Sequence, residues 1–248
     1  MTETGAARAA SDCGSAPAVQ IAELDYTYPD GSVALRQVSL TVGRGEKVAV
    51  IGANGAGKST LLLHLNGSLR GAGTVKIFGQ AVTRRNLPQI RRRVGLIFQY
   101  PDDQLFCPTV GTDVAFGPEH QGLPQEVVAE RVAAALQAVG LVGFETRNPF
   151  HLSLGEKRRA ALATVLAMQP DLLALDEPLS NLDPRGRRRF LALLKQMTQS
   201  MLVVTHDLEL VRALCQRVYL LTAGQVVYSG PVESVLDDAE LLAQNGLV

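Results

Sequence analysis

The chain has 248 residues, 46% of them hydrophobic and 19% charged, which is enough apolar material for a packed core and too little charge for a disordered chain. Its formal net charge is +0, so no bulk basic field points to nucleic acid. No apolar run approaches the roughly 20 residues a membrane-spanning helix requires, and Cys13, Cys107 and Cys215 show neither metal-ligand nor disulfide spacing.

In chain order, residues 1–18 are rich in Ala, Ser, Gly and Thr, and they are expected to form a disordered tail without the apolar stretch of a signal peptide. A cytosolic location follows. Strands are expected at 19–28, 38–42, 47–51 and 74–77, separated by Gly, Pro and Asp. A helix is expected at 57–65. The middle of the chain turns helical: Val127, Val128, Val132, Leu136 and Val139 recur at helical spacing within 124–139, and a further helix is expected from about Gly155 to Met168. Residues 101–168 therefore read as a helical subdomain. Strand and helix then alternate: strands at 171–175, 201–205, 218–221 and 225–228, helices at 185–197 and 208–215, and short helices within 232–244. Such alternation predicts an α/β fold with a mainly parallel sheet. The expected organisation is a main domain over 19–230 and a short helical extension over 231–248.

The strongest local signal is Gly52-Ala53-Asn54-Gly55-Ala56-Gly57-Lys58-Ser59-Thr60. This is the P-loop spacing, between an expected strand and an expected helix. Glycines let backbone N–H groups converge on phosphates, and the helix directs its positive end at the same anion. Lys58 can reach the β- and γ-phosphates of a nucleotide, and Ser59 can offer a hydroxyl to Mg²⁺.

The apolar run Leu172-Leu173-Ala174-Leu175 ends in Asp176-Glu177. The carboxyl end of a buried parallel strand is where such sheets bind ligands. Asp176 is therefore expected to hold Mg²⁺ and Glu177 to activate the attacking water as a general base. A second apolar run ends in His206-Asp207, and a neutral His206 could bond a γ-phosphate or orient Glu177.

Further motifs follow one another in a fixed order: Gln99 after Val94-Gly95-Leu96-Ile97-Phe98, then Leu152-Ser153-Leu154-Gly155-Glu156, Ser180-Asn181-Leu182-Asp183 and Thr205-His206-Asp207. With the P-loop and the acid pair, this series resembles the ABC ATPase family over about residues 21–230. The resemblance implies a P-loop NTPase cassette with a mainly parallel core, an N-terminal antiparallel β part and a helical subdomain. It implies ATP and Mg²⁺ as ligands, Tyr28 as the aromatic that stacks on adenine (with Tyr26 as the alternative), and Gln99 as the sensor of Mg²⁺ and γ-phosphate. Ser153 and Gly155 would contact the γ-phosphate held by the opposite subunit, and Asp183 would link the two active sites. A head-to-tail dimer with a second ATPase subunit, identical or related, follows from that sharing. Leu154 stands where the family usually has Gly, and Glu156 where it often has Gln.

Residues 99–106 and 113–119 are similar to the cobalt, nickel and energy-coupling-factor importers. This implies a peripheral subunit at the cytoplasmic face of a membrane, powering import of a transition-metal ion or a vitamin. Its partners would be a transmembrane coupling protein and a substrate-capturing membrane protein, with no nucleic acid expected. A soluble relative acting on nucleic acid or ribosomes is the alternative, and so is an ATP-gated scaffold. Arg84, Arg85, Arg91, Arg92 and Arg93 form a basic cluster, expected to be a solvated face.

Overall fold

The computed structural model describes residues 16–247. The first part contains β1 (Val19–Thr27), β2 (Val33–Val42), β3 (Lys47–Ile51), α1 (Lys58–Leu65), β4 (Ala72–Ile77) and β5 (Gln80–Ala81). Then come α2 (Leu87–Arg93), β6 (Val94–Ile97), α3 (Val110–His120), α4 (Gln125–Ala138) and α5 (Leu154–Leu166). The last part contains β7 (Leu172–Asp176), α6 (Pro184–Gln196), β8 (Ser200–Thr205), α7 (Leu208–Leu214), β9 (Arg217–Thr222), β10 (Gln225–Pro231), α8 (Val232–Leu236) and α9 (Ala239–Gln244).

Two sheets result. The antiparallel sheet has the order β2-β1-β4-β5. The larger sheet has the order β10-β9-β3-β8-β7-β6, parallel from β9 to β6 with β10 added antiparallel at its edge. Helix α1 lies against both sheets, and α3, α4 and α5 pack together, with α5 also touching β6.

The central strands are buried on both faces, and their side chains alternate between compartments as the pleat requires. Val48, Val50, Leu172, Ala174, Leu202 and Val204 pack with α1 and the antiparallel sheet. Leu173, Leu175, Met201 and Val203 pack with α3 to α7. Ala49 and Ile51 join α7, α8 and α9. The chain beyond β10 is thus packed against the sheet through Val232, Val235, Leu236 and Leu242.

Several expected boundaries move. Residues 1–15 of the expected tail lie outside the described residues, as does Cys13. Residues 16–18, assigned to that tail, are instead held: Ala18 is buried and its carbonyl accepts from the Phe78 N–H at 3.0 Å. Strand β2 begins at Val33 rather than residue 38; before Val38 only Leu35 is buried, too little apolar alternation to mark a strand in the sequence. The basic cluster is split: Arg84 and Arg85 lie in a short 3-10 turn, and Arg91, Arg92 and Arg93 form the end of α2, in which only Ile90 is buried. Its polar sequence hid a helix that starts with Pro88 in its first turn. Helix α3 carries Gly117 and Pro118 in its last turn, residues that ordinarily read as breakers.

Candidate functional site

The loop between β3 and α1 is shaped by close backbone approach. A Cβ on Gly52 would sit 2.1 Å from the Leu221 carbonyl oxygen, and one on Gly57, at φ +101°, 2.4 Å from that of Ala34. Only glycine fits these two positions. Gly57 is the N-cap of α1 and gives no side-chain hydrogen bond, so the first-turn N–H groups keep their bonding capacity. By contrast α5, α6 and α7 are capped by Ser153, Asp183 and Asp207.

Tyr28, Asn54, Gly55, Gly57, Lys58, Ser59, Thr60, Gln99, Asp176, Glu177 and His206 line one open cleft of ≈ 460 Å³. Gly52, Ala53 and Ala56 build the loop itself. The Lys58 ammonium donates to the carbonyls of Gly52 at 2.8 Å and Ala53 at 3.1 Å, and the Ala56 carbonyl accepts from Gly224 N–H. Burial pushes the Lys58 ammonium below its ordinary range, opposed by Glu177 and Asp176. A buried cation that rests on its own loop's carbonyls suits a polyphosphate, which can replace them. The Tyr28 hydroxyl is 2.9 Å from the Thr60 hydroxyl. Tyr26, the alternative aromatic, packs instead on the core and edge-on against His64, at 4.9 Å.

The two acids differ. Burial raises the Asp176 carboxyl above the usual range, partly opposed by a hydrogen bond from the Ser59 hydroxyl. This pairing of a carboxylate with a hydroxyl fits a hard divalent cation. Glu177 is only 6% exposed and has a left-handed backbone, φ +43°. Its Oε2 accepts from the Thr205 hydroxyl at 2.8 Å. Its Oε1 accepts from the His206 backbone N–H at 3.1 Å, and His206 Nδ1 lies 2.8 Å from the same oxygen. With Nδ1 engaged, Nε2 is the ring nitrogen available to a ligand.

Ser153, Gly155 and Asp183 do not join this cleft. They line a separate one with Leu154, Glu156, Arg159 and Asn181, and the two clefts share no residue. Ser153 and Glu156 form a reciprocal capping box: Glu156 Oε2 accepts from the Ser153 N–H at 2.9 Å and from its hydroxyl at 2.7 Å. These bonds hold the Glu156 carboxyl below the usual range. Leu154 is the first residue of α5, with ordinary helical backbone. The departure from glycine there needs no left-handed conformation, and Glu156 satisfies the helix end as a glutamine would.

Sequence reasoning missed four residues. Thr205 fixes Glu177, as described. Gln104 accepts from Phe98 N–H at 3.3 Å and donates to the Ala161 carbonyl at 2.8 Å, tying the Gln99 loop to α5. Arg158 and Arg187 anchor the segment after Glu177. None stands beside the residue it serves; in the sequence Thr205 showed only as part of a strand end and Gln104 only as part of the 99–106 segment.

Near Gln99 the surface carries Phe98, Tyr100, Phe106 and Phe116, exposed by 37%, 56%, 59% and 40%. Phe106 and Phe116 meet edge to face with centroids 5.0 Å apart.

Comparison with known proteins identifies the framework. The family model for the ABC transporter matches residues 35–180. The energy-coupling factor transporter ATP-binding protein EcfA of Carboxydothermus hydrogenoformans is 47% identical over 93% of this chain and 86% of its own length. Among solved structures, cbiO1 of Clostridium perfringens, part of the ABC transporter complex cbiONQ, superposes with TM-score 0.81. It is 34% identical and covers 93% of this chain and 95% of its own. A dimeric ATP-binding cassette in a post-hydrolysis state with ADP and Pi superposes with TM-score 0.77 at 27% identity, covering 86% of this chain and 98% of its own. The P-loop cleft, the paired acids on β7 and the family match over most of the fold together make this chain a member of the ABC transporter family, an ATP-binding subunit with ATPase activity.

Proposed function

We propose that the chain is the peripheral ATPase of an energy-coupling-factor-type importer, working at the cytoplasmic face of a membrane as one half of a nucleotide-sandwich dimer. The observation that carries the dimer is the separation of the two clefts. The capped start of α5, with Ser153 and Gly155, shares no residue with the cleft of Lys58, so a second chain is needed to bring the two surfaces to one nucleotide. The likeness to a dimeric cassette bound to ADP and Pi supports this reading.

Within each site, the glycine loop and Lys58 bind the phosphates, and Tyr28 stacks on the base. Ser59, Asp176 and Gln99 would hold Mg²⁺, which when bound supplies charge neutralisation at the phosphates. Glu177 takes a proton from the attacking water, with Thr205 and His206 orienting its carboxylate. Ser153, Gly155 and Asp183 act across the dimer. Closure of the pair around ATP drives the membrane partners, and hydrolysis resets it.

The exposed aromatic patch beside Gln99 supports docking of a transmembrane coupling protein there, since clustered exposed aromatics mark interaction surfaces. A substrate-capturing membrane protein completes the assembly. The likeness to EcfA and to cbiO1 of the cbiONQ complex favours a transition-metal ion, cobalt or nickel, or a vitamin as cargo, over a role on nucleic acid or ribosomes.

The test combines purification of the membrane complex with uptake of cobalt, nickel and vitamins in cells. Membrane proteins should copurify with the chain, and uptake of one cargo should vanish in Glu177→Gln while ATP binding persists. ATP hydrolysis with no accompanying membrane protein and no uptake defect would sink the importer reading.

A further inference from the structure

Arg158 is the largest fully buried side chain among the described residues, 1% exposed in the second turn of α5. No carboxylate forms a salt bridge with it among the described residues. Its guanidinium instead donates to peptide and hydroxyl oxygens. One nitrogen gives 3.1 Å to the Ser180 carbonyl and 2.7 Å to the Ser180 hydroxyl. A second makes a long 3.5 Å contact with the carbonyl of Phe98, the residue before Gln99, and the buried Nε has no hydrogen-bond partner among the described residues. The Ser180 hydroxyl in turn donates to the Glu177 carbonyl at 3.0 Å. A buried cation held this way is costly, and breaking its contacts leaves unpaired polar groups. Burial does push its guanidinium down, opposed by the charges of Asp176 and Glu177.

The geometry is a clasp between loops that sequence separates widely. Gln99 follows β6, Glu177 follows β7, and Arg158 comes from the helix whose start bears Ser153. We infer that Arg158 is a positioning residue that holds the Gln99 loop and the Glu177 loop in one register, so that turnover depends on it although it lines neither cleft. The inference rests on the roles proposed above for Gln99 and Glu177. It adds a path within one chain: displacement of the aromatic patch by a partner moves Phe98, and the Phe98 carbonyl is held to the Glu177 segment through Arg158 and Ser180.

The test uses the full chain carrying Arg158→Met, Arg158→Lys or Ser180→Ala, beside the parent and Glu177→Gln. ATP hydrolysis and affinity for a fluorescent ATP analogue with Mg²⁺ are both measured. Arg158→Met should lower kcat by about 10–100-fold, the scale of a misplaced catalytic group. Analogue affinity and KM should stay within about threefold, which separates positioning from binding. Arg158→Lys should recover part of kcat, because an ammonium can still reach one of the carbonyls. Ser180→Ala should fall in the same direction, and combining it with Arg158→Lys should cost less than the product of the two, as one shared path requires. If Arg158→Met does not fold, the other two variants carry the test. Normal kcat in both soluble variants, with Glu177→Gln inactive, overturns the inference and leaves the proposed function standing. Loss of nucleotide affinity in step with kcat overturns it as well. Turnover that persists in Glu177→Gln counts instead against the role of Glu177 itself.

Discussion

Glu177 occupies a backbone conformation that costs a non-glycine residue about 1–3 kcal/mol. Its carboxylate is returned three contacts for that strain, from Thr205 and twice from His206. Thr205→Val keeps the side-chain shape and removes one of them. It is expected to lower kcat several-fold with little change in KM, as measured by steady-state hydrolysis. Asp176 presents the opposite trade. Burial raises its carboxyl, so ionising it in the folded chain costs stability, and that cost is incurred as pH rises through the ordinary aspartate range toward the raised value. Asp176→Asn should therefore melt at a higher temperature than the parent near neutral pH in nucleotide-free calorimetry. The advantage should shrink below the ordinary aspartate range, where both side chains are neutral. A lower melting temperature at neutral pH would mean that the Ser59 and Lys58 contacts outweigh burial. The acids and His206 were legible in the sequence because each ends or follows an apolar strand run, and Lys58 because the glycine spacing before it is that of a P-loop. Thr205 was legible only as part of the strand end; its bond to Glu177 arises from β7 and β8 lying side by side.

At the scale of elements, α5 depends on its first turn. Ser153→Ala removes the hydroxyl of the capping box and is expected to cost about 0.5–2 kcal/mol of stability, read from denaturant unfolding. Leu154→Gly changes an exposed first-turn position with ordinary helical backbone. It should cost no more than about 1 kcal/mol and leave hydrolysis near the parent rate. Loss of ATPase activity in that variant would show that Leu154 is not merely tolerated. Elements with a strong pattern were readable: β3, β7 and β8 are continuous apolar runs, and α4 repeats its valines at helical spacing. In α6 only Phe190 and Leu194 are buried, four residues apart, yet that sufficed. Helix α2 and the first half of β2 were not readable, because tertiary contacts at one or two residues hold them rather than a pattern.

At the scale of the molecule, one compartment joins the helices to the parallel sheet. Phe190 lies in it, 1% exposed, and Phe190→Ala is expected to cost about 3–5 kcal/mol, measured by urea unfolding. The outer face makes a separate prediction. Phe106→Ser combined with Phe116→Ser should weaken copurification of membrane partners and leave ATP binding intact, since neither ring lines the nucleotide cleft. Retained partners with both rings removed would place the docking surface elsewhere. The alternation of β3 has a wider reach. Val48 and Val50 belong to the side of α1, while Ala49 and Ile51 belong to the side of the C-terminal helices. The strand is thus a partition whose two faces answer to different neighbours, and it leads directly into the loop that begins at Gly52. A single-residue insertion within it would exchange those neighbours wholesale and rotate the loop's point of departure. The nucleotide cradle is therefore indexed to the core one residue at a time, and the chain's last helices, remote in sequence, help to set its aim.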